Sequence, residues 1–230
     1  MGLRESALYN QIKWRVKRIY LNKQYANSQK IFCIGKNKTG TTSLEALFRS
    51  QQYAVGDQAI GESLVADWVA GRYDRIVKFA RYGGTFFQDV PFSLPDTYKM
   101  LDEQFPDARF ILTVRDSAEQ WYRSLTRFHS KVFGNGSLPT RADLEASTYH
   151  RPGYAWMVFR ALHNTPENDL YNKEHLIGEY ERYNAEVVAY FKDDPSRLLQ
   201  VNLSDESASE AISSFLSWPE KVAIPWENKT

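Results

Sequence analysis

Nine residues, Gly35-Lys-Asn-Lys-Thr-Gly-Thr-Thr-Ser43, follow directly on the apolar run Ile31-Phe-Cys-Ile34. An apolar run that opens into a glycine-bounded loop, and then into a helix-like segment, is a way to hold an anion. Successive backbone N–H groups and a helix N-terminus converge on one place. The loop departs from the nucleotide triphosphatase pattern G-x-x-x-x-G-K-[ST], which needs Lys after its second Gly. Thr41 holds that position, and the lysine stands two residues before the Gly, at Lys38. A phosphate cradle with its cation displaced implies a displaced chemistry. Two further polar pairs end apolar runs, Gln88-Asp89 and Arg115-Asp116. The guanidinium of Arg115 can fork onto a phosphate, and the carboxylate of Asp89 can accept a proton.

Alternating strand-like and helix-like runs must position these groups. Strands are expected at Ile31–Ile34, Thr85–Gln88, Arg109–Val114 and Leu198–Asn202. Helices are expected at Thr42–Ser50, Pro95–Phe105, Ala118–Phe133, Tyr154–Leu162, Lys173–Phe191 and Ala208–Leu216. Within Lys173–Phe191, Leu176, Tyr180, Tyr183, Val187 and Tyr190 form one apolar face. Residues 134–152, with Gly, Asn, Ser and Pro, read as a loop. The alternation predicts an α/β class: a three-layer, P-loop-like fold with a central, mostly parallel sheet flanked by helices. Ligands of such sheets bind beyond the carboxyl ends of the strands. The loop at 35–43, Asp89 and Arg115 are therefore expected to share a crevice.

The chain has 230 residues, 43% of them hydrophobic, which suits one domain with a sizeable core. Its single cysteine, Cys33, excludes an intrachain disulfide and is expected to be a buried, inert thiol in a reducing, cytoplasmic setting. No Cys/His cluster suggests a metal, and no apolar run approaches the roughly 18 residues of a membrane span. Residues 1–30 hold seven Lys/Arg against one Glu, while the remainder is net acidic. That asymmetry argues against a nucleic-acid binder. Residues 1–29 read as a basic amphipathic helix, with Leu8, Ile12, Val16 and Ile19 on one face. It either packs on the domain 30–230 or makes a peripheral membrane contact. Oligomeric state is left open.

Lys38-Thr-Gly-Thr-Thr42 resembles the phosphosulfate-binding loop of the sulfotransferases that use 3′-phosphoadenosine 5′-phosphosulfate (PAPS), which reads Lys/Arg-[Ser/Thr]-Gly-Thr-Thr between strand and helix. A second element of that family, an Arg after a later strand and a Ser on the next helix, resembles Phe110-Ile-Leu-Thr-Val-Arg115-Asp-Ser-Ala-Glu-Gln-Trp-Tyr-Arg-Ser124. The likeness runs from about residue 30 to the end. It is nearest to a bacterial-type branch with Arg-Asp and Trp-Tyr in this segment and a Pro-rich tail like Pro219–Asn228.

The resemblance implies transfer of a sulfuryl group from PAPS to an acceptor hydroxyl, on a carbohydrate or small molecule, by in-line displacement. The product would be 3′-phosphoadenosine 5′-phosphate (PAP), with no metal needed. It implies that Lys38 faces the bridging oxygen and stabilises the leaving phosphate. Thr39, Gly40, Thr41, Thr42 and Ser43 would cradle the 5′ side, and Arg115 with Ser124 would hold the 3′-phosphate. Cytosolic members carry a His as base two residues before a Pro. Asp89-Val90-Pro91 keeps that spacing with a carboxylate.

The residues alone leave other readings open. These are a P-loop kinase or phosphotransferase, and a non-catalytic nucleotide-binding module docked through the basic N-terminus. Lys38 has an alternative as a solvated loop lysine, the role expected of Lys36, and Asp89 as a cap of the turn before Pro91. His129, His150, His163 and His175 end no strand and are expected to be structural or surface groups, with His129 and His150 left as candidates to line an acceptor site. The chain also departs from the family pattern. Nine positions separate Arg115 from Ser124 where many members have eight, and Ser43 replaces an adenine-stacking Trp. An Arg-Lys-Gly triplet near the C-terminus is missing, which leaves Trp121 and Trp226 as aromatic candidates for adenine.

Overall fold

A computed structural model of the chain describes residues 24–225. Most of the expected N-terminal helix, and Trp226, lie outside them. Strands β1 (Ile31–Cys33), β2 (Phe86–Phe87), β3 (Arg109–Val114) and β4 (Leu198–Asn202) form one sheet in the order β2-β1-β3-β4. All three pairings are parallel, with Ile31 opposite both Phe86 and Arg109, and Phe110 opposite Leu198. From β1 the chain goes first to β2 on one side and then to β3 on the other. The strand order thus reverses at β1, and the crevice beyond the carboxyl ends of β1 and β3 is the switch point where such sheets bind ligands.

Alternation along the strands feeds two cores. Phe32, Ile34, Phe110 and Leu112 enter one, and Ile31, Cys33 and Ile111 enter the other. Because both faces are apolar, the strands read as unbroken hydrophobic runs. The first core is closed by α2 (Gln58–Ser63), α3 (Val65–Val69), α4 (Asp74–Tyr82), α5 (Thr97–Gln104) and the end of α9 (Lys173–Tyr190). The second is closed by α1 (Thr41–Ser50) and α10 (Ala208–Phe215). A third core joins α6 (Ala118–Phe133), α7 (Arg141–Ala146), α8 (Tyr154–Leu162) and α9 through Trp121, Leu144, Phe159 and Tyr180.

The expected three-layer α/β arrangement is present, with an all-parallel sheet. Three expectations need correction. Residues 134–152 are not all loop, because α7 is nucleated there by a capping box between Thr140 and Asp143. Helices α2 to α4 were not foreseen between residues 52 and 84; each is short, and short helices display too few turns to show a period. Tyr190 does not join the buried face of α9 but points outward, its hydroxyl donating to Asp102 at 2.9 Å.

Two tyrosines of α9 fasten the carboxyl edge of the sheet. The Tyr183 hydroxyl donates to the Ile34 carbonyl at 2.7 Å, and the Tyr180 hydroxyl accepts the Arg115 N–H at 3.0 Å. Both backbone groups lie where the strand ladder ends, so a side chain must satisfy them. Gly35 lies hard against β3: a Cβ there would fall 2.0 Å from Thr113 Oγ1. Gly35→Ala is therefore expected to cost about 1–3 kcal/mol or more by overpacking. Urea denaturation would show it as a lowered midpoint, and an unchanged midpoint would refute the close β1–β3 approach.

Candidate anion-binding and transfer site

The loop after β1 ends on Gly40, which is left-handed (φ 98°) and caps α1 with no side-chain acceptor. A Cβ at Gly40 would also meet Leu203 at 2.9 Å. The first intrahelical bond runs from Leu44 N–H to the Gly40 carbonyl at 3.1 Å, and no acid stands in the first turn. The start of α1 therefore carries no side-chain cap and no acid, and the helix dipole there favours an anion. Lys38 is also left-handed (φ 72°), an uncommon conformation for a residue with a Cβ. Contacts from outside the loop hold this shape. Thr39 Oγ1 donates to the Lys36 carbonyl and meets Thr113 Oγ1, both at 2.6 Å. Trp121 Nε1 donates to the Asn37 carbonyl at 2.9 Å, and Ser93 Oγ to Asn37 Oδ1 at 3.3 Å. Arg115 Nε donates to the Lys38 carbonyl at 2.7 Å.

Lys38, Arg115 and Asp89 come together at the strand ends. Lys38 Nζ lies 3.7 Å from the centroid of the Phe128 ring. Burial lowers its pKa; the positive charge of Arg115 acts in the same sense, and the negative charge of Asp89 opposes it. Arg115 uses Nε on the loop, and its two terminal nitrogens form no ion pair among the described residues. They remain a planar fork. Asp89 is left-handed (φ 60°). Its Oδ1 accepts the Val90 N–H at 2.7 Å, and its carbonyl accepts from Phe92 and Ser93 N–H. Burial raises the pKa of its carboxyl and nearby Glu62 adds to the rise, against hydrogen bonds from Val90 and Gln58 and the charge of Lys38.

Ser124 lies one turn beyond Trp121 and one turn before Phe128, on the face of α6 whose neighbours touch the loop. Its hydroxyl is buried and has no hydrogen-bond partner, so it is not joined to Arg115. A buried orphan hydroxyl is costly, and an oxygen of an anion would satisfy it. Among the cradle residues, Thr42 is exposed at the first turn of α1, while Thr41 and Ser43 are buried. The Thr39 oxygen is engaged by Lys36 and Thr113, which leaves its backbone N–H as its part in the cradle.

Two other residues differ from expectation. Lys36 is not solvated: it is 3% exposed, with Nζ donating to the Leu162 carbonyl at 3.4 Å and 4.6 Å from the Tyr183 ring centroid. Burial lowers its pKa to about 8, with Glu179 the main opposing charge. Trp121 has no face free for adenine, being buried and stacked on Tyr180 at 4.6 Å. Three of the four histidines are held by protein partners. His129 meets the Tyr171 hydroxyl at 2.8 Å and is pushed down to about 3, mainly by burial. His163 Nδ1 and His175 Nε2 each meet Glu179 at 3.2 Å. Burial would raise Glu179, but hydrogen bonds from His163 and the Asn164 N–H outweigh it and hold the carboxyl at about 2.

A polar chain beside Asp89 was not anticipated. Gln88 Nε2 reaches Glu45 Oε2 at 2.8 Å and Gln58 Oε1 at 2.9 Å. The Gln58 side chain in turn bonds Glu62 at 3.3 Å and Asp89. The signal available was Asp57 as an N-cap, followed by Gln58 and Glu62 at the i, i+4 spacing of one helix face. Among the described residues no three His, Cys, Asp or Glu are grouped to hold a metal ion, and no helix is long and apolar enough to cross a membrane.

In comparison with known proteins, a family model described as a sulfotransferase domain matches residues 30–230. No curated protein matches the chain.

The double engagement of Thr39 gives a direct test of how the loop is held. Thr39→Val removes a buried hydroxyl shared by Lys36 and Thr113 and is expected to cost about 1–3 kcal/mol in chemical denaturation. Thr39→Ser should restore most of the loss. Equal stability of the valine variant and the wild type would remove this brace from the account.

Proposed function

The chain belongs to the sulfotransferase family, and we propose that its reaction moves a sulfuryl group from PAPS to an acceptor hydroxyl by in-line displacement. One observation carries this reading: the hydrogen bond from Arg115 Nε to the Lys38 carbonyl, which fastens a guanidinium fork to the loop that leads into a helix N-terminus without a side-chain cap. Two anion cradles joined in this way suit a donor with two separated phosphate groups. A nucleoside triphosphate offers nothing for the second cradle to hold. The unpartnered Ser124 hydroxyl fits an oxygen ligand on the same side of the loop. When bound, PAPS supplies the sulfuryl group on a phosphate leaving group.

This chain's own residues then divide the work. The N–H groups at the start of α1, with the Thr42 hydroxyl, take the 5′ side, and Arg115 with Ser124 takes the 3′-phosphate. Lys38 puts a half-buried positive charge where negative charge collects on the leaving phosphate. Charge fixed there stabilises the transition state more than the ground state. Asp89 receives the proton of the acceptor hydroxyl. Its burial moves its pKa toward neutrality, the direction that strengthens a base.

Calorimetry with PAP, ADP and ATP, each with and without Mg²⁺, tests the donor. Metal-independent preference for PAP is expected, weakened roughly 10- to 100-fold by Arg115→Ala as a charge-assisted hydrogen-bond pair is lost. Preference for ATP with Mg²⁺ would replace this reading with a phosphotransferase. Lys38→Ala should lower turnover about 10²- to 10³-fold, the loss typical of one charge-stabilising group.

Asp89 makes a prediction whose sign differs for activity and stability. Activity needs the ionised carboxylate, so it should rise with pH through the elevated pKa of Asp89. For stability, the folded protein holds this proton more tightly than the unfolded chain does. The contribution is complete below the reference value of 3.8 and is lost as pH rises through the folded value. Asp89→Asn should therefore abolish turnover, leave PAP affinity nearly unchanged, and raise the urea midpoint at neutral pH but not at acid pH. Wild-type turnover in that variant would remove Asp89 from the chemistry.

A further inference from the structure

The side of Asp89 away from the anion loop is built by α2 and by the segment between α7 and α8. The Gln58 side chain accepts from Gln88, the residue before Asp89, at 2.9 Å and donates to Glu62 at 3.3 Å. Gln58 thus links Glu62 to the end of β2 where Asp89 stands, and the Glu62 charge acts on the Asp89 carboxyl. Glu62 Oε1 is fully engaged, accepting from Gln58 at 3.3 Å and from the Tyr149 hydroxyl at 2.9 Å. Oε2 is not: His150 Nδ1 stands 3.8 Å from it, beyond hydrogen-bond reach. That oxygen lies in an otherwise mostly covered side chain, 12% exposed. Aromatic rings close the wall around it, with His150 4.5 Å and Tyr149 6.2 Å from the Tyr154 ring. Tyr149 also meets Phe133 of α6 at 6.2 Å, which ties this wall to the helix beneath Lys38.

We propose that Glu62 Oε2 reads the acceptor, taking a hydrogen bond from a hydroxyl or ammonium on the carbon next to the hydroxyl that gives its proton to Asp89. The acceptors are then vicinal diols and vicinal amino alcohols, neutral or cationic around the reacting centre. Neighbouring donors on adjacent carbons can each bond one of two nearby carboxyl groups. A carboxylate or phosphate in the same place would meet two like charges. The proposal rests on Asp89 acting as the base of a sulfotransferase.

The test uses the full chain, radiolabelled PAPS and four matched probes: cyclohexanol, its vicinal diol, its vicinal amino alcohol and its vicinal hydroxy acid. The diol and the amino alcohol should be sulfated with kcat/KM about tenfold above cyclohexanol, the worth of one added hydrogen bond to a charged group, and the hydroxy acid should fall below it. Glu62→Ala should erase the preference, mostly through KM. Glu62→Gln should keep part of the diol preference and lose that for the amino alcohol. PAP affinity by calorimetry should be the same in all three proteins. The proposal is overturned if Glu62→Ala keeps the wild-type ranking or if the wild type treats cyclohexanol and the diol alike. It is also overturned if a wild type that binds PAP sulfates none of the four. Failure of the wild type to bind PAP at all would instead bring down the sulfotransferase reading beneath it.

Discussion

The structure depends on holding a loop in a shape it would not keep alone. Lys38 and Gly40 are both left-handed, and the carbonyls of Asn37 and Lys38 accept from side chains. Backbone groups so placed need partners, and they find them on β3's end and on α6, through Arg115 Nε and Trp121 Nε1. The donors are themselves fixed. Trp121 stacks on Tyr180, and the Tyr180 hydroxyl takes the Arg115 N–H. Helix α9 has no group among the candidate anion ligands, yet it sets where the loop and the guanidinium lie relative to one another. That relation is what makes two anion cradles into one site.

The electrostatics follow from the same packing. Burial disfavours the charged forms of Lys38 and Asp89, and their attraction for each other works against that in both cases. Lys36, deeper still, is opposed by the charge of Glu179, whose carboxyl is in turn held by His163, His175 and the Asn164 N–H. Ordered charges of this kind reduce stability, but they need little rearrangement when charge develops beside them. The reduced affinity of Lys38 for its proton and the increased affinity of Asp89 for its own arise from one cause, exclusion of water around the strand ends.

Strand ends, loop and Arg115 were legible in the sequence because a doubly covered parallel strand is a continuous apolar run with polar residues at its exit. Hence β3, β4, α6 and α8 have the ends expected of them. What was illegible depended on partners far along the chain. Lys36 reads as solvated because it stands in a polar loop, and only Leu162 and Tyr183, from α8 and α9, bury it. Trp121 reads as a free ring until Tyr180 covers it. Thr39 belongs to the anion motif by sequence, but its hydroxyl is claimed by Thr113 on the neighbouring strand. Glu62 lies on a helix of six residues, too short to announce a face.

Asp89 was open to two readings, a turn cap or a base, and the geometry makes them one. Its Oδ1 takes the Val90 N–H, which orients the carboxyl that is to receive a proton. The left-handed backbone at residue 89 narrows the choice of side chain, because Asp is among the few residues with a Cβ that adopt it readily. A carboxylate is a weaker base than an imidazole at its reference pKa. Burial at the end of β2 offsets part of that difference, and Glu62 across the Gln58 amide adds to it in the same sense. The turn that orients the carboxylate also removes it from water, so the cap and the base are consequences of one buried position.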